Sequence, residues 1–231
     1  MPLSTFSLRR SFTSYAKVQS LIGHLIRNRR FQLARPRVRD CAYLDIGCGP
    51  NTHGHLINLD FLWHPGVDVC WDIRRGLPFA DGSLRGVFSE HCLEHFSLPP
   101  ALELLREIRR VLAPGGTVRL VVPDGELYLR TYASQLGGDR SRAFPYQASE
   151  EKNALWTPMM SVNRIFYQDR ESPFGHRTIH DFPLLAALLR AGGFENITRR
   201  SFGEGRDPRL LIDTPDRRCE SLYVEATAPL T

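Results

Sequence analysis

The sequence predicts an α/β protein built around a mostly parallel sheet. Three observations carry this reading. Short apolar runs alternate with helical patterns along much of the chain. One run, residues 42–46, passes through Asp45 into a tight Gly47-Cys48-Gly49-Pro50 turn. Further runs end at acids, namely Asp60, Asp72 and Ser89-Glu90.

The elements follow in order. From residue 14 to about 30, Val18, Leu21, Ile22, Leu25 and Ile26 recur at helical spacing, with Lys17, Arg27, Arg29 and Arg30 on the other face and at the end. This predicts an amphipathic basic helix after a poorly structured start at 1–13, with a linker around Pro36. Residues 42–46, 57–59, 67–71 and 86–89 read as strands, residues 101–112 as a helix stopped by Pro114-Gly115-Gly116, and 117–122 as a fifth strand. Only ten residues, 47–56, join the first two strands. Parallel strands need about a dozen in a helical crossover, so the early helix is trimmed to a loop. A helix at 183–191, closed by Gly192-Gly193, and strands at 197–201 and 221–226 finish the chain. Between 123 and 180 the pattern breaks down into an aromatic-rich stretch (Tyr128, Tyr132, Phe144, Trp156, Phe166, Phe174), which predicts an elaborated lid over the carboxyl edge of the sheet. The domain plan is therefore a basic arm at 1–40 and an α/β domain at 41–231 carrying the insertion at 123–180.

Composition narrows the function. The 231 residues suffice for one such domain with a sizeable core. No run of about 18 apolar residues occurs, and no signal peptide is recognisable. Five cysteines (an odd number without framework spacing) fit reduced thiols in a cytoplasmic protein. Nine Lys or Arg against the single acid Asp40 give residues 1–40 a charge of +8, which leaves the body at −3 of the total +5. A net acidic body argues against a nucleic-acid groove. The basic helix predicts packing on the domain, a homodimer, or contact of residues 14–35 with an anionic membrane surface.

Several motifs bear on chemistry. Gly-x-Gly alone is weak, but an acid-ended strand, a glycine turn and further strand-end acids form an ordered set. A helix, a Pro-Gly-Gly turn and an apolar strand then follow in "RVLAPGGTVRLVVPD". The interval from Asp45 to Asp60 is 15 residues, against roughly 20 in a dinucleotide-binding unit. The third glycine of that unit is absent, since Asn51 follows Pro50.

With "YLDIGCGPN" and "LPFADGSLRGVFSEHCLEHF", the chain resembles the class I S-adenosylmethionine-dependent methyltransferases, in particular the type 11-like subgroup. The resemblance covers residues 43–122 and resumes at 184–197 and 220–226. It implies a Rossmann-like sheet of seven strands with the last strand pair reversed, and S-adenosylmethionine as cofactor. It also implies roles: Asp45, Gly47, Cys48 and Gly49 at the methionine moiety, Asp60 at the ribose, and Asp72 and Ile73 beside adenine. Ser89, Glu90 and His91 would line the side where the sulfonium meets the acceptor. Short methyltransferases of this phrasing suggest a small-molecule or glycan acceptor and O-methylation. A hydroxyl acceptor calls for a base, for which His91, His95, His180 and Glu90 are the candidates.

"EHCLEHF" also contains His91-x-x-Glu94-His95, the pattern of an inverted zinc peptidase. Such a site needs a helix presenting both histidines to one ion, and here the motif follows a strand directly, with Leu98-Pro99-Pro100 just beyond. A zinc hydrolase is the least favoured alternative, a non-catalytic cofactor-binding or partner-binding module another, and no metal is expected. His53-x-His55 and the His176 and His180 pair read as exposed or substrate-contacting groups.

Overall fold

The computed structural model describes residues 14–168 and 174–231. The poorly structured start expected for 1–13 lies outside the described residues. Helix α1 (Ser14–Ile26) and a one-turn helix α2 (Pro36–Arg39) precede β1 (Tyr43–Ile46), β2 (Ile57–Asp60), β3 (Val69–Cys70) and β4 (Leu84–Glu90). Then come α3 (Leu98–Val111), β5 (Leu112–Pro123), α4 (Gly125–Leu136), α5 (Gln147–Glu150) and α6 (Pro158–Tyr167). Helix α7 (Phe182–Ala191), β6 (Glu195–Arg200) and β7 (Ser221–Thr227) close the chain.

The seven strands form one sheet in the order β3-β2-β1-β4-β5-β7-β6. The first five are parallel, and β7 runs against both β5 and β6. The order reverses direction between β1 and β4, which is where ligands bind in open α/β sheets. As the ten-residue connection requires, no helix stands between β1 and β2. Pro114-Gly115-Gly116 does not end the helix. It lies inside β5 as an excursion, since Leu84 pairs with Leu112 and Gly86 already with Thr117.

The stretch around Pro36 is not a free linker but helix α2, and the N-terminal arm is tied to the sheet edge. The exposed backbone of edge strand β3 needs partners. Asn28 N–H donates to the Cys70 carbonyl at 3.1 Å. Cys70 N–H donates to buried Gln32 Oε1 at 2.8 Å, and Asp72 N–H to Asn28 Oδ1 at 2.8 Å. Arg27, expected on the basic face, turns inward to bond the Phe61 carbonyl and stacks 3.8 Å from the Phe61 ring centroid. The apolar stripe of α1 splits: Ile22 and Ile26 are half-buried, while Val18, Leu21 and Leu25 face outward.

The two faces of the sheet are covered differently. One face packs α3 and α7 through Leu105, Ile108, Leu185 and Leu189 over Leu44, Val87, Leu120 and Val224. The other face carries Tyr43, Phe88, Val121 and Tyr223, and what covers it is the irregular β6–β7 connection, residues 201–220, through Leu210, Phe202 and Ile212. That connection is fixed by Arg119, which projects from β5 and is fully buried. Its guanidinium donates to Asp213 at 2.7 and 2.5 Å, to Glu225 at 3.2 Å, and to the Glu204 and Ser201 carbonyls.

The stretch from 123 to 180 is more regular than the sequence pattern implies. Tyr128 of α4, Phe144, and Val162 and Ile165 of α6 bury one another, with Tyr132, Trp156, Phe166 and Ile179 packed around them. The aromatics form a small core of their own.

Removing Arg119 leaves buried Asp213 without a cationic partner and Glu225 with Arg200 alone, and breaking a buried pair this way costs about 3–5 kcal/mol. Urea unfolding of Arg119→Leu is expected to show a loss of that size. A loss below about 1 kcal/mol, the range of an exposed pair, would contradict the anchoring role.

Candidate functional site

The carboxyl ends of β1, β2, β3 and β4 bring the acids together. Asp45 is the last residue but one of β1 and is buried. Burial raises its carboxyl well above the ordinary carboxylate range, and the neighbouring charges of Glu90 and Asp60 push it the same way. The 47–49 turn crosses above it. Gly47 and Cys48 N–H groups donate to the Leu59 carbonyl at 2.8 and 3.2 Å, which ties the turn to β2. Gly49 N–H donates to Asp60 Oδ2 at 2.9 Å, and Leu62 N–H to Asp60 Oδ1 at 2.7 Å. Each Asp60 oxygen keeps a second lone pair for a ligand hydroxyl.

The two glycines have different reasons. Both adopt left-handed backbone, φ +73° at Gly47 and +51° at Gly49. A Cβ on Gly47 would lie 2.8 Å from Cys92 Sγ, whereas one on Gly49 would meet nothing within 4 Å. Gly47 thus permits close packing, and Gly49 faces open space. Open space above a turn, bordered by a buried carboxylate under pressure from two others, suits a cationic ligand. S-adenosylmethionine, with its sulfonium and ammonium, fits.

At the end of β3, Asp72 Oδ1 and Oδ2 each accept from Arg74 at 2.8 Å, and the pair holds the Asp72 carboxyl below its ordinary range. Ile73 follows and packs partly against the core. At the end of β4, Ser89 Oγ donates to the Ile46 carbonyl at 3.0 Å. Glu90 Oε1 accepts from Thr214 N–H at 3.0 Å, and Oε2 accepts from the Thr214 hydroxyl. Cys48 faces away from the turn into a cluster with Val67 and Cys70, and burial raises its thiol.

Sequence reasoning missed several neighbours. Thr214 closes the β4 end from the 201–220 connection, with Asn51 Nδ2 donating to its hydroxyl at 3.3 Å. Phe61 directly follows Asp60 and stacks edge-on to Phe174 of the lid, 5.5 Å between centroids. The aromatic after a strand-end acid was the available signal for Phe61. Thr214 had none, because its partner lies 124 residues away.

The base candidates are enclosed. His91 has left-handed backbone at φ +48°, a strained conformation for a side chain of its size. Its Nε2 pairs with Ser221 Oγ at 2.8 Å, and burial lowers its pKa well below the usual histidine value. Burial pushes His95 and His180 down to about 4, His176 adding to the effect at His95. Such rings are neutral at pH 7 and weak as bases. His180 is fully buried with neither ring nitrogen hydrogen-bonded. Glu94, never assigned a role beyond the zinc pattern, is completely buried, and burial pushes its carboxyl up to about 8. His91, Glu94 and His95 do not share a helix, since residues Leu93–His95 form a single 3-10 turn. The peptidase arrangement is therefore not built.

Alanine at Gly49 is expected to lower stability by about 1–2 kcal/mol, the cost of left-handed backbone for an L-residue. Alanine at Gly47 adds the collision with Cys92 and should cost clearly more. Equal unfolding midpoints for the two variants would contradict this distinction.

Residues 58–120 match the sequence model of a family described as methyltransferase domain. No curated protein matches the chain in sequence. Among solved structures, the chain is similar to a S-adenosylmethionine-dependent methyltransferase from Archaeoglobus fulgidus, at 15% identity over 97% of this chain and 100% of that one, with a TM-score of 0.48. It is similar also to a possible histamine N-methyltransferase from Thermotoga maritima, at 16% identity over 96% and 98% of the two chains and a TM-score of 0.47. The matched stretch runs from β2 into β5 of the sheet ordered β3-β2-β1-β4-β5-β7-β6, beside the glycine turn and the acids at its carboxyl edge.

Proposed function

We propose that the chain methylates a hydroxyl of a small, glycan-type acceptor. The observation that carries this is the enclosure of the acceptor side. The 201–220 connection fastens onto Glu90 through Thr214, and the lid fastens onto the Glu94 carbonyl through the Arg177 and Thr178 N–H groups at 2.8 and 3.2 Å. Enclosure from two sides suits a small molecule better than a polymer chain. The two covers also meet each other, as Tyr146 OH donates to the Asp216 carbonyl at 2.9 Å and to Glu220 Oε1 at 3.2 Å.

The cofactor supplies an activated methyl on a cationic sulfur, so the protein must chiefly align the acceptor and exclude water. In this reading Asp45 and the 47–49 turn hold the methionine end. Asp60 takes the ribose hydroxyls, and Asp72 and Ile73 flank the adenine. Ser89 and Glu90 border the reacting centre, and Glu90 stays in place because Thr214 bonds both its oxygens. His91, His95 and His180 stand on the acceptor side as neutral rings that position groups rather than take up the proton.

Peripheral attachment to a cytoplasmic membrane face is a second part of the proposal. Val18, Leu21, Leu25 and Phe31 are each between 52% and 61% exposed, with Arg29 and Arg30 nearby. Apolar side chains beside arginines suit an anionic lipid surface. Among the described residues, no helix is long and apolar enough to cross a membrane.

Calorimetry with S-adenosylmethionine is expected to show binding that Asp45→Ala removes, and methyl transfer should go to sugar-type hydroxyl acceptors in preference to amines. Transfer only to amine or carbon acceptors would overturn the acceptor assignment. Binding should also depend on pH. A cation favours the ionised form of Asp45, whose carboxyl is raised by burial, Glu90 and Asp60. Affinity is therefore full above that raised pKa and falls as pH drops through it, starting above the ordinary carboxylate range of about 3.9. Asp45→Asn should flatten the profile, and a pH-independent affinity in the unaltered protein would contradict this. Sedimentation with phosphatidylserine vesicles should fall when Leu21 and Leu25 are changed to Ser, and unchanged sedimentation would reject the membrane contact.

A further inference from the structure

The turn after β4 holds an unsatisfied carboxylate. Glu94 is 0% exposed, and neither of its oxygens has a hydrogen-bond partner. Native proteins pair almost all such groups, and an unpaired buried carboxyl is costly. The His91 ring does not remedy this, because its Nδ1 stands 3.6 Å from Glu94 Oε1, beyond hydrogen-bond reach.

Two further rings converge on Glu94. His95 is its neighbour in the 3-10 turn, and His95 Nδ1 is buried without a hydrogen-bond partner. His176 comes from the lid, and its ring centroid is 5.3 Å from that of His95. One ligand atom from each of Glu94, His95 and His176 lies within 4.8 Å of the others. The backbone fixes this meeting: Arg177 and Thr178 N–H groups donate to the Glu94 carbonyl, and Thr178 Oγ1 donates to the Phe96 carbonyl at 2.9 Å. His176 Nδ1 lies 2.5 Å from the Ile165 carbonyl of α6. A carbonyl only accepts, so Nδ1 carries the proton and Nε2 the ring lone pair. Metal-binding histidines are oriented in this way, through the other ring nitrogen.

We infer that Glu94, His95 and His176 bind a divalent transition-metal ion of the zinc type, which joins the lid to the β4 edge. Two imidazoles and one carboxylate are a ligand set for zinc with a fourth position left open. Donor atoms about 2.0–2.2 Å from one ion lie roughly 3.4 Å apart, so donors within 4.8 Å of one another need to close by at most about 1.4 Å. The ion would satisfy the Glu94 oxygens and cross-link two segments about 80 residues apart in sequence. The open position would be available to water or to another ligand. The metal site itself does not depend on the acceptor assignment.

The test uses the full-length protein, freed of metal with a chelator and then titrated with Co²⁺, whose visible d–d bands report coordination by nitrogen and oxygen. One Co²⁺ per chain with such bands is expected, and Zn²⁺ should displace it and raise the unfolding temperature. Glu94→Gln and His176→Ala should each weaken uptake by about tenfold or more and abolish the thermal shift. The double change His53→Ala with His55→Ala removes a surface pair that could bind ions adventitiously, and it should leave uptake unchanged. Absence of stoichiometric Co²⁺ in the unaltered protein would overturn the site. So would uptake that survives His176→Ala, or uptake lost with the His53 and His55 pair. Should Glu94→Gln fail to fold, His176→Ala decides, because that ring sits on the lid and outside the main sheet core.

Discussion

The fully buried ion pair between Arg119 and Asp213 is the constraint on which the site depends. Among the described residues, one face of the sheet is covered by helices and the other by the irregular 201–220 connection. An irregular segment has no ladder of its own to hold it in place. Arg119 reaches from β5 and takes two carboxylates and two carbonyls from that segment and from β7. A planar guanidinium suits this because it offers several donors in a fixed geometry. Leu210 in the core and the Tyr43–Asp207 hydrogen bond at 2.9 Å add to the anchorage. The residue after Asp213 is Thr214, which bonds Glu90 at the end of β4. A salt bridge on one face of the sheet thus sets the wall of the cleft at its edge.

The edge itself is an electrostatic problem with a functional answer. Parallel strands that end together deliver Asp45, Asp60 and Glu90 to one place, and burial makes their mutual repulsion stronger. Backbone amides relieve part of it at Asp60. Asp45 retains the larger burden, which the cationic cofactor proposed above would relieve. The lid adds a second enclosure, packed on its own aromatic core and clamped to the Glu94 backbone.

What was legible in the sequence was local. The glycine turn, the strand-end acids, the trimmed first crossover and the closing helix each follow from residues close together in the chain, and each stands where expected. What was hidden depended on distant partners. Helices α4 and α6 were obscured because their aromatics face one another across the insertion, not the main core. The 201–220 wall was silent because its anchors, Arg119 and Glu90, lie far back in the chain. Arg27, Asn28 and Gln32 read as a polar helix end, yet they complete the open edge of β3. The histidine pattern at 91–95 suggested its own internal site, whereas the ring that meets Glu94 and His95 is His176.

Hydrogen exchange with and without S-adenosylmethionine tests the central claim most directly, because it maps the bound edge residue by residue. The account predicts slower exchange at the amides of Gly47, Cys48 and Gly49, at Leu62, and at Thr214 across the cleft. These amides bond to Leu59, Asp60 and Glu90 at the carboxyl edge. Unchanged exchange at all of these positions under saturating cofactor, with protection confined to other parts of the chain, would contradict it.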